Sequence, residues 1–98
     1  MSHLPQSVPR RRPGAESSRF GADYVVLDPA GNVLRGLNET AARVWELIDG
    51  KRTAQEISRC IEEEHRARSP QILADVLAFL DLLQSKDLLE AAEGGTRR

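Results

Sequence analysis

Three consecutive amphipathic segments, each with its own helix start signal, constrain the fold of this chain most strongly. Asn38, Thr53 and Ser69 are all favourable N-cap residues, and Thr53 is followed three positions later by Glu56, which completes a capping box. Pro70 suits the first turn of the third segment. Apolar residues recur at helical spacing behind each cap, so the sequence predicts three short helices. The apolar stripes are Ala41, Val44, Trp45 and Ile48; then Ala54, Ile57 and Ile61, with Cys60 beside them; then Ile72, Val76, Phe79, Leu80 and Leu83.

A β-hairpin is predicted ahead of these helices. The stretch ADYVVLD is rich in residues that suit strands, and DPAGN follows it as a turn, with Pro29 and Gly31 at positions that favour their backbone angles. We expect Tyr24 to Leu27 to pair with residues 32–37, with a short extra strand near Arg19 and Phe20. Leu88 and Leu89 are expected to return as a short strand or a final turn. The predicted fold class is therefore α+β: a small winged-helix-like domain with two or three short antiparallel strands followed by three helices.

The length of 98 residues indicates one domain with tails. Residues 1–19 combine prolines with an arginine run and predict a disordered or loosely held basic arm, residues 20–93 form the domain, and residues 94–98 form a flexible tail. No apolar run approaches the ~20 residues of a membrane span, and a single cysteine, Cys60, suits a reducing compartment. We expect a cytoplasmic protein without a membrane partner, either a monomer or a weak homodimer.

Charge is distributed unevenly along the chain. Residues 1–19 carry 4 basic and 1 acidic side chains, a net +3, whereas residues 20–93 carry 8 basic and 14 acidic side chains, a net −6. The third predicted helix holds Asp75 and Asp81 and has no basic residue before Lys86, which disfavours contact with phosphates. We therefore expect no specific nucleic-acid partner. A winged-helix DNA-binding protein that uses the arginines at positions 10–12 remains the alternative.

Residues suited to catalysis or metal binding do not form a recognisable pattern. His3, Cys60 and His65 match no zinc-ligand spacing, and no glycine-rich loop has the phosphate-binding spacing. Three consecutive glutamates at positions 62–64 point in different directions on a helix, so they indicate a solvated face. The sequence predicts a protein that is not an enzyme and that needs no metal or cofactor.

Peptide binding is the function class that remains. A sheet of two or three strands has open edges, and an open edge accepts an extended peptide as an added strand. Leu73, Leu77 and Leu82 widen the apolar stripe of the third helix beyond what one packing partner needs. These leucines could equally well close the core or join two copies in a structural homodimer, and the residues alone leave both interpretations open.

Three ordered pieces of sequence resemble the PqqD-like proteins. The pieces are LNETAARVWELIDGKRT, EISRCIEEEH and DVLAFLDLLQSKDLL, and the resemblance runs from about Tyr24 to Leu89. This family is named for the D component of pyrroloquinoline quinone biosynthesis, and its members are also called RiPP precursor peptide recognition elements. The resemblance implies a non-catalytic chaperone that binds the leader segment of a ribosomally made precursor peptide. It also implies a modifying enzyme as partner, often a radical S-adenosylmethionine enzyme.

The resemblance further implies where the leader binds. The leader is expected to pair with the third strand and to pack against the third helix. We also expect Trp45 to lie in the core and to fix the strand relative to that helix, with direct contact to the peptide as the alternative. The opposite flank of the helix, with Leu77 and Asp81, stays an open alternative. The predicted peptide-binding residues are Asn32, Val33, Leu34, Arg35, Gly36 and Leu37 on the strand, and Asp75, Ala78, Phe79 and Leu82 on the helix.

Overall fold

Three short antiparallel strands precede three helices in the computed structural model, which describes residues 3–66 and 69–90. The strands form one sheet in the order β1-β2-β3, so β2 is central and β1 and β3 are its edges. This architecture confirms the predicted α+β class. The elements are β1 (Glu16–Phe20), β2 (Asp23–Leu27), β3 (Val33–Leu34), α1 (Glu39–Leu47), α2 (Ala54–His65) and α3 (Pro70–Ser85).

The turn between β2 and β3 forms as its sequence predicts. The Gly31 N–H donates to the Asp28 carbonyl at 3.1 Å, and the Asp28 N–H donates to the Asn32 carbonyl at 3.1 Å. Gly31 has a φ of +95°, which a three-residue hairpin loop requires after a tight turn. The loop fixes the register of the hairpin, in which Leu27 faces Val33 and Val26 faces Leu34.

Strand β3 is shorter than the predicted span of residues 32–37. Since Val26 faces Leu34, an unbroken ladder would place Tyr24 opposite Gly36. Instead the Leu37 N–H donates to the Tyr24 carbonyl at 3.2 Å, so this side of the ladder holds one extra residue. Gly36 has a φ of +74° and forms the resulting bulge. Regular pairing therefore ends at Leu34, although the chain continues alongside β2 as far as Leu37.

Each helix begins at the cap that the sequence predicts. The Asn38 side chain accepts from the Ala41 N–H at 2.8 Å, and the Ser69 hydroxyl accepts from the Gln71 N–H at 3.1 Å. Both bonds of the Thr53–Glu56 capping box form, at 2.8 and 3.1 Å. These side chains bind backbone N–H groups that have no partner inside the helix, which explains why they determine where each helix starts. Among the described residues, no helix combines the length and the apolar character needed to cross a bilayer.

The core lies where the inner face of the sheet meets the three helices. Trp45 is 1% exposed at its centre. On α3 the residues that face the core are Val76, Leu80 and Leu83, so Ile72 and Phe79, predicted on the same stripe, lie half-buried at its margin. The buried core comprises Val26, Val44, Trp45, Leu47, Ile48, Ala54, Ile57, Ile61, Val76, Leu80, Leu83, Leu88 and Leu89.

The N-terminal segment, residues 3–15, follows the surface of the domain, whereas the sequence predicts a disordered or loosely held arm. The carbonyls of Pro5 and Ser7 accept from the N–H groups of Gln55 and Ala54 at 2.8 and 2.9 Å. These are donors of the first turn of α2, which have no partner within the helix. Strand β1 then begins at Glu16, inside the predicted arm.

Farther along, the same segment pairs with the chain that follows α3. The Arg12 N–H donates to the Leu88 carbonyl at 3.1 Å, and the Glu90 N–H donates to the Arg10 carbonyl at 2.9 Å. Arg11 and Leu89 form the antiparallel bridge between these bonds. Leu88 and Leu89 thus return as a short extended stretch, one of the two forms expected. The predicted tail at residues 94–98 lies outside the described residues.

Candidate functional site

The outer edge of β3 carries backbone groups that face away from the sheet. Asp28 and Asn32 form a hydrogen-bonded pair, and bonded and non-bonded pairs alternate along an antiparallel ladder. The backbone N–H and C=O of Leu34 therefore point toward β2. Those of Val33, and of Arg35 as the chain continues alongside β2, point outward. The backbone groups of Val33 and Arg35 are called the open edge below.

Side chains along this strand divide between the core and the solvent. Leu34 and Leu37 are half-buried and pack against the core. Val33 is 42% exposed on the outer face of the sheet, opposite Leu27 at 39%. Arg35 is exposed, and among the described residues it forms no ion pair within 4.0 Å.

The two ends of the predicted strand serve local structure. The Asn32 N–H and side-chain amide donate to the two carboxylate oxygens of Asp28, at 2.9 and 3.0 Å. The hydrogen bond from the Asn32 side chain lowers the pKa of Asp28 and keeps it ionised. The Gly36 N–H donates to the Asp23 carboxylate at 3.2 Å. Asn32 and Gly36 therefore hold the two ends of β3 in place.

The two flanks of α3 differ in what covers them. Asp81 accepts from the His3 N–H at 2.8 Å, and His3 is 4% exposed, so the N-terminal segment covers this flank. On the opposite flank Leu82 is 43% exposed and Phe79 is half-buried against the core. We call this second side the free flank; its residues are Ile72, Asp75, Ala78, Phe79 and Leu82.

The predicted site residues that are apolar and half-buried share one core. Leu34 and Leu37 on the strand side pack against it, as do Phe79 of the free flank and Leu77 of the opposite flank. Val33, Arg35 and Leu82 project from it into solvent, as do Asp75 and Ala78. The Asp75 carboxylate accepts from the Gln71 side-chain amide at 2.8 Å, an interaction within the helix. Across the described part of the chain, no group of three His, Cys, Asp or Glu residues is placed to hold a metal ion.

Comparison with known proteins identifies the family. The sequence model of the family described as Coenzyme PQQ synthesis protein D (PqqD) matches residues 23–89, well over half of the chain. The chain belongs to the PqqD family. No curated protein matches it.

Two solved structures resemble this PqqD-family chain. One is the solution NMR structure of the PqqD truncation of Methylobacterium extorquens PqqCD, described as a functional, stand-alone RiPP recognition element. It has a TM-score of 0.76 and 27% identity, and the match covers 91% of this chain and 95% of that one. The other is TbiB1 in complex with the TbiA(beta) leader peptide, with a TM-score of 0.68 and 25% identity over 84% of this chain and 95% of that one.

Arg11 is a structural residue that sequence reasoning missed. Its guanidinium carbon lies 4.6 Å from the centroid of the Trp45 ring, and its Nη2 donates to the Trp45 carbonyl at 2.6 Å. The neighbouring Arg12 forms an ion pair with Asp87 at 2.9 Å. The PqqD match begins at Asp23, so these arginines lie outside the family pattern, and composition alone assigned them to a loose arm.

Proposed function

We propose that this PqqD-family protein binds the leader segment of a ribosomally made precursor peptide and presents it to a modifying enzyme without catalysing a reaction itself. The observation that carries the proposal is the open edge of β3, whose backbone groups have no partner among the described residues and lie beside the half-buried Leu34. An extended leader would add to the sheet as a fourth strand.

Backbone hydrogen bonds would supply most of the affinity in this mode. Val33 and Arg35 each offer one N–H and one C=O on the open edge, so an antiparallel leader can form up to four bonds with them. Because backbone groups are common to all residues, these bonds tolerate variation in the leader sequence. Specificity must therefore come from side chains around the edge.

The free flank of α3 is the surface proposed to receive the leader side chains. His3 covers the flank that holds Asp81, so the alternative contact with Leu77 and Asp81 would require the N-terminal segment to leave. The free flank presents exposed apolar surface at Leu82 without such a rearrangement. The proposed contacts are Val33, Leu34, Arg35 and Leu37 on the strand side and Asp75, Ala78, Phe79 and Leu82 on the helix side, with Asn32 and Gly36 holding the strand ends.

The class of the partner enzyme and the cellular compartment are also proposed, on the basis of the similarity to the two solved structures. A solved relative is held in complex with a leader peptide, and another acts as a stand-alone recognition element, which supports a separate enzyme that receives the bound leader. We assign that role to a radical S-adenosylmethionine enzyme in the cytoplasm, where the ribosome releases the precursor. Residues 20–93 are proposed as the unit that binds, with the N-terminal segment as its support and residues 94–98 as a tail.

Replacing Val33 with proline tests the proposed strand addition. The Val33 N–H faces the open edge, so Val33→Pro removes an outward donor while leaving the pairing of Leu34 with β2 intact. We expect the Kd for a fluorescein-labelled peptide, selected from a random library for binding to the wild-type protein, to rise about tenfold or more. Fluorescence anisotropy measures the Kd, and circular dichroism checks that the variant is folded.

Arg19→Pro provides a matched control on the other edge of the sheet. Phe20 and Asp23 flank a two-residue loop and form a hydrogen-bonded pair, so the Arg19 N–H faces outward from β1. This variant loses an equivalent outward donor and should keep leader affinity within about twofold. Equal affinity in folded Val33→Pro and wild-type protein would refute the proposed docking on β3.

A further inference from the structure

The geometry of β3 limits which leader residues its side chains can contact. This inference rests on the proposed function. The turn at Gly31 limits regular pairing on one side and the bulge at Gly36 limits it on the other. Four residues, 32–35, lie between these limits, and the side chain of the first, Asn32, is already bound to Asp28. Val33, Leu34 and Arg35 are left to face the leader. The segment of leader that faces side chains of β3 in register is therefore about three residues long.

Alternation along the strand assigns each of these leader residues to a face. In a paired strand, directly opposite residues lie on the same face of the sheet. A leader residue opposite Leu34 therefore points inward toward the helices, whereas those opposite Val33 and Arg35 lie on the outer face. Two of the three positions meet apolar surface, and the third meets a cationic side chain.

The inward position is apolar. Leu34 is half-buried and packs against the core. A large apolar side chain beside it would cover the carbons that Leu34 leaves exposed, whereas a charged one would lose its hydration without a partner.

The outer position opposite Val33 is also apolar. Val33 and Leu27 face each other on the outer side of the sheet, and both remain about two-fifths exposed. A leader side chain beside Val33 extends this pair into a row of three. Aliphatic residues suit such a cross-strand row because they shield their neighbours without needing hydrogen bonds.

The outer position opposite Arg35 should hold an acidic leader residue. Arg35 has no carboxylate within 4.0 Å among the described residues, so its guanidinium is available to a bound peptide. Residues 20–93 have a net charge of −6, so a run of acidic leader residues would be repelled from the rest of the domain. One carboxylate placed opposite Arg35 gains a local ion pair without that penalty.

We propose that the leader carries three consecutive residues, in chain order one acidic, one large apolar and one aliphatic, which lie opposite Arg35, Leu34 and Val33. This order applies because the leader runs antiparallel to β3. In that orientation the leader residues opposite Val33 and Arg35 each form two backbone hydrogen bonds with the strand.

Selection from a phage-displayed library of random 12-residue peptides tests the triplet. Panning on wild-type protein should enrich the acidic–apolar–aliphatic order, and panning on Arg35→Glu should replace the acidic position with a basic one. Synthetic peptides that differ only by Glu or Lys at that position should show about a threefold affinity preference for Glu in wild-type protein and for Lys in Arg35→Glu. Arg19→Glu, on the opposite edge of the sheet, is the matched control and should keep the wild-type preference.

The outcomes separate this inference from the proposed function. The triplet alone would be overturned if the selected peptides lose affinity for Val33→Pro but lack the triplet. It would also be overturned if panning on Arg35→Glu still selects an acidic residue at that position. Enrichment of the reversed order would overturn the antiparallel assignment and with it the proposed triplet. Peptides that bind Val33→Pro as tightly as wild-type protein, or a failure to enrich any peptide, would overturn strand addition itself.

Discussion

Trp45 shows how one residue holds together parts of the chain that are distant in sequence. It is almost fully buried in the core, which confirms the structural role that its position on the first helix predicts. The guanidinium of Arg11 covers its ring, and the same side chain bonds its carbonyl. An aromatic side chain with a cation over its face gains both packing and electrostatic stabilisation. The core tryptophan and the N-terminal segment therefore stabilise each other.

Trp45→Ala should lower the free energy of unfolding by about 3–5 kcal/mol, because it leaves a large cavity and removes the contact with Arg11. In a domain of this size that is a large part of the total stability, so leader binding should be lost through unfolding. Urea denaturation followed by circular dichroism measures the change. A folded Trp45→Ala protein that has lost only leader binding would show that the tryptophan contacts the peptide instead.

At the scale of elements, the turn before β3 depends on an ionised carboxylate. Asp28 binds both the backbone N–H and the side-chain amide of Asn32, and the latter bond lowers its pKa. Two other carboxyls in the described part of the chain have a lowered pKa. Hydrogen bonds from the backbone N–H groups of Arg52 and Lys51 lower the pKa of Asp49, and the hydrogen bond from Arg43 lowers that of Glu64. Each of these groups favours the folded state when ionised.

Acid should therefore destabilise the protein, and part of this effect should arise at Asp28. A carboxyl whose pKa is lower in the folded than in the unfolded state stabilises the folded state. This stabilisation is complete when the pH is above the pKa of the unfolded state, which is about 3.9 for Asp. That stabilisation is lost as the pH falls through the folded pKa. Melting temperatures measured between pH 7 and pH 2.5 should fall below about pH 4, and Asp28→Asn should show a smaller fall than wild-type protein. An identical fall in both would contradict the role assigned to Asp28.

The elements also show which features the sequence can predict. The caps at Asn38, Thr53 and Ser69 and the turn around Pro29 depend on hydrogen bonds between near neighbours, so local sequence identifies them. The length of β3 was predicted wrongly because the bulge at Gly36 depends on Asp23 and Tyr24, which approach it only in the folded hairpin. The sequence could not predict which flank of α3 is covered either, because the flank with Asp81 is covered by His3, which lies far away in the sequence.

At the scale of the whole molecule, the N-terminal segment completes the domain that the family pattern describes. Its backbone pairs with residues 88–90, its carbonyls cap the start of α2, and two of its three consecutive arginines contact Trp45 and Asp87. These contacts occupy two of the three consecutive charges that a DNA-binding arm would use. Composition could not reveal this, because prolines and arginines without periodicity are equally typical of a disordered segment.

Removal of residues 1–12 should lower the melting temperature by several degrees and shift the Trp45 fluorescence to longer wavelength as its ring becomes hydrated. The lost contacts are the Arg11–Trp45 stack, the Arg12–Asp87 ion pair and the backbone bonds to residues 88 and 90. Removal of residues 94–98, which also deletes two arginines, is the control and should leave both properties unchanged. An unchanged emission maximum and melting temperature after removal of residues 1–12 would contradict the structural role of this segment.

The bridge between Arg11 and Leu89 has a consequence for synthesis of the protein in the cell. It joins positions 78 residues apart, so it cannot form on a nascent chain until Leu89 has left the ribosome. The hairpin that ends in β3 emerges much earlier, before the helices and the bridge can cover the inner face of its sheet. During that interval the apolar inner face of the nascent hairpin is exposed to neighbouring chains, and rapid translation of residues 38–89 would shorten this exposure.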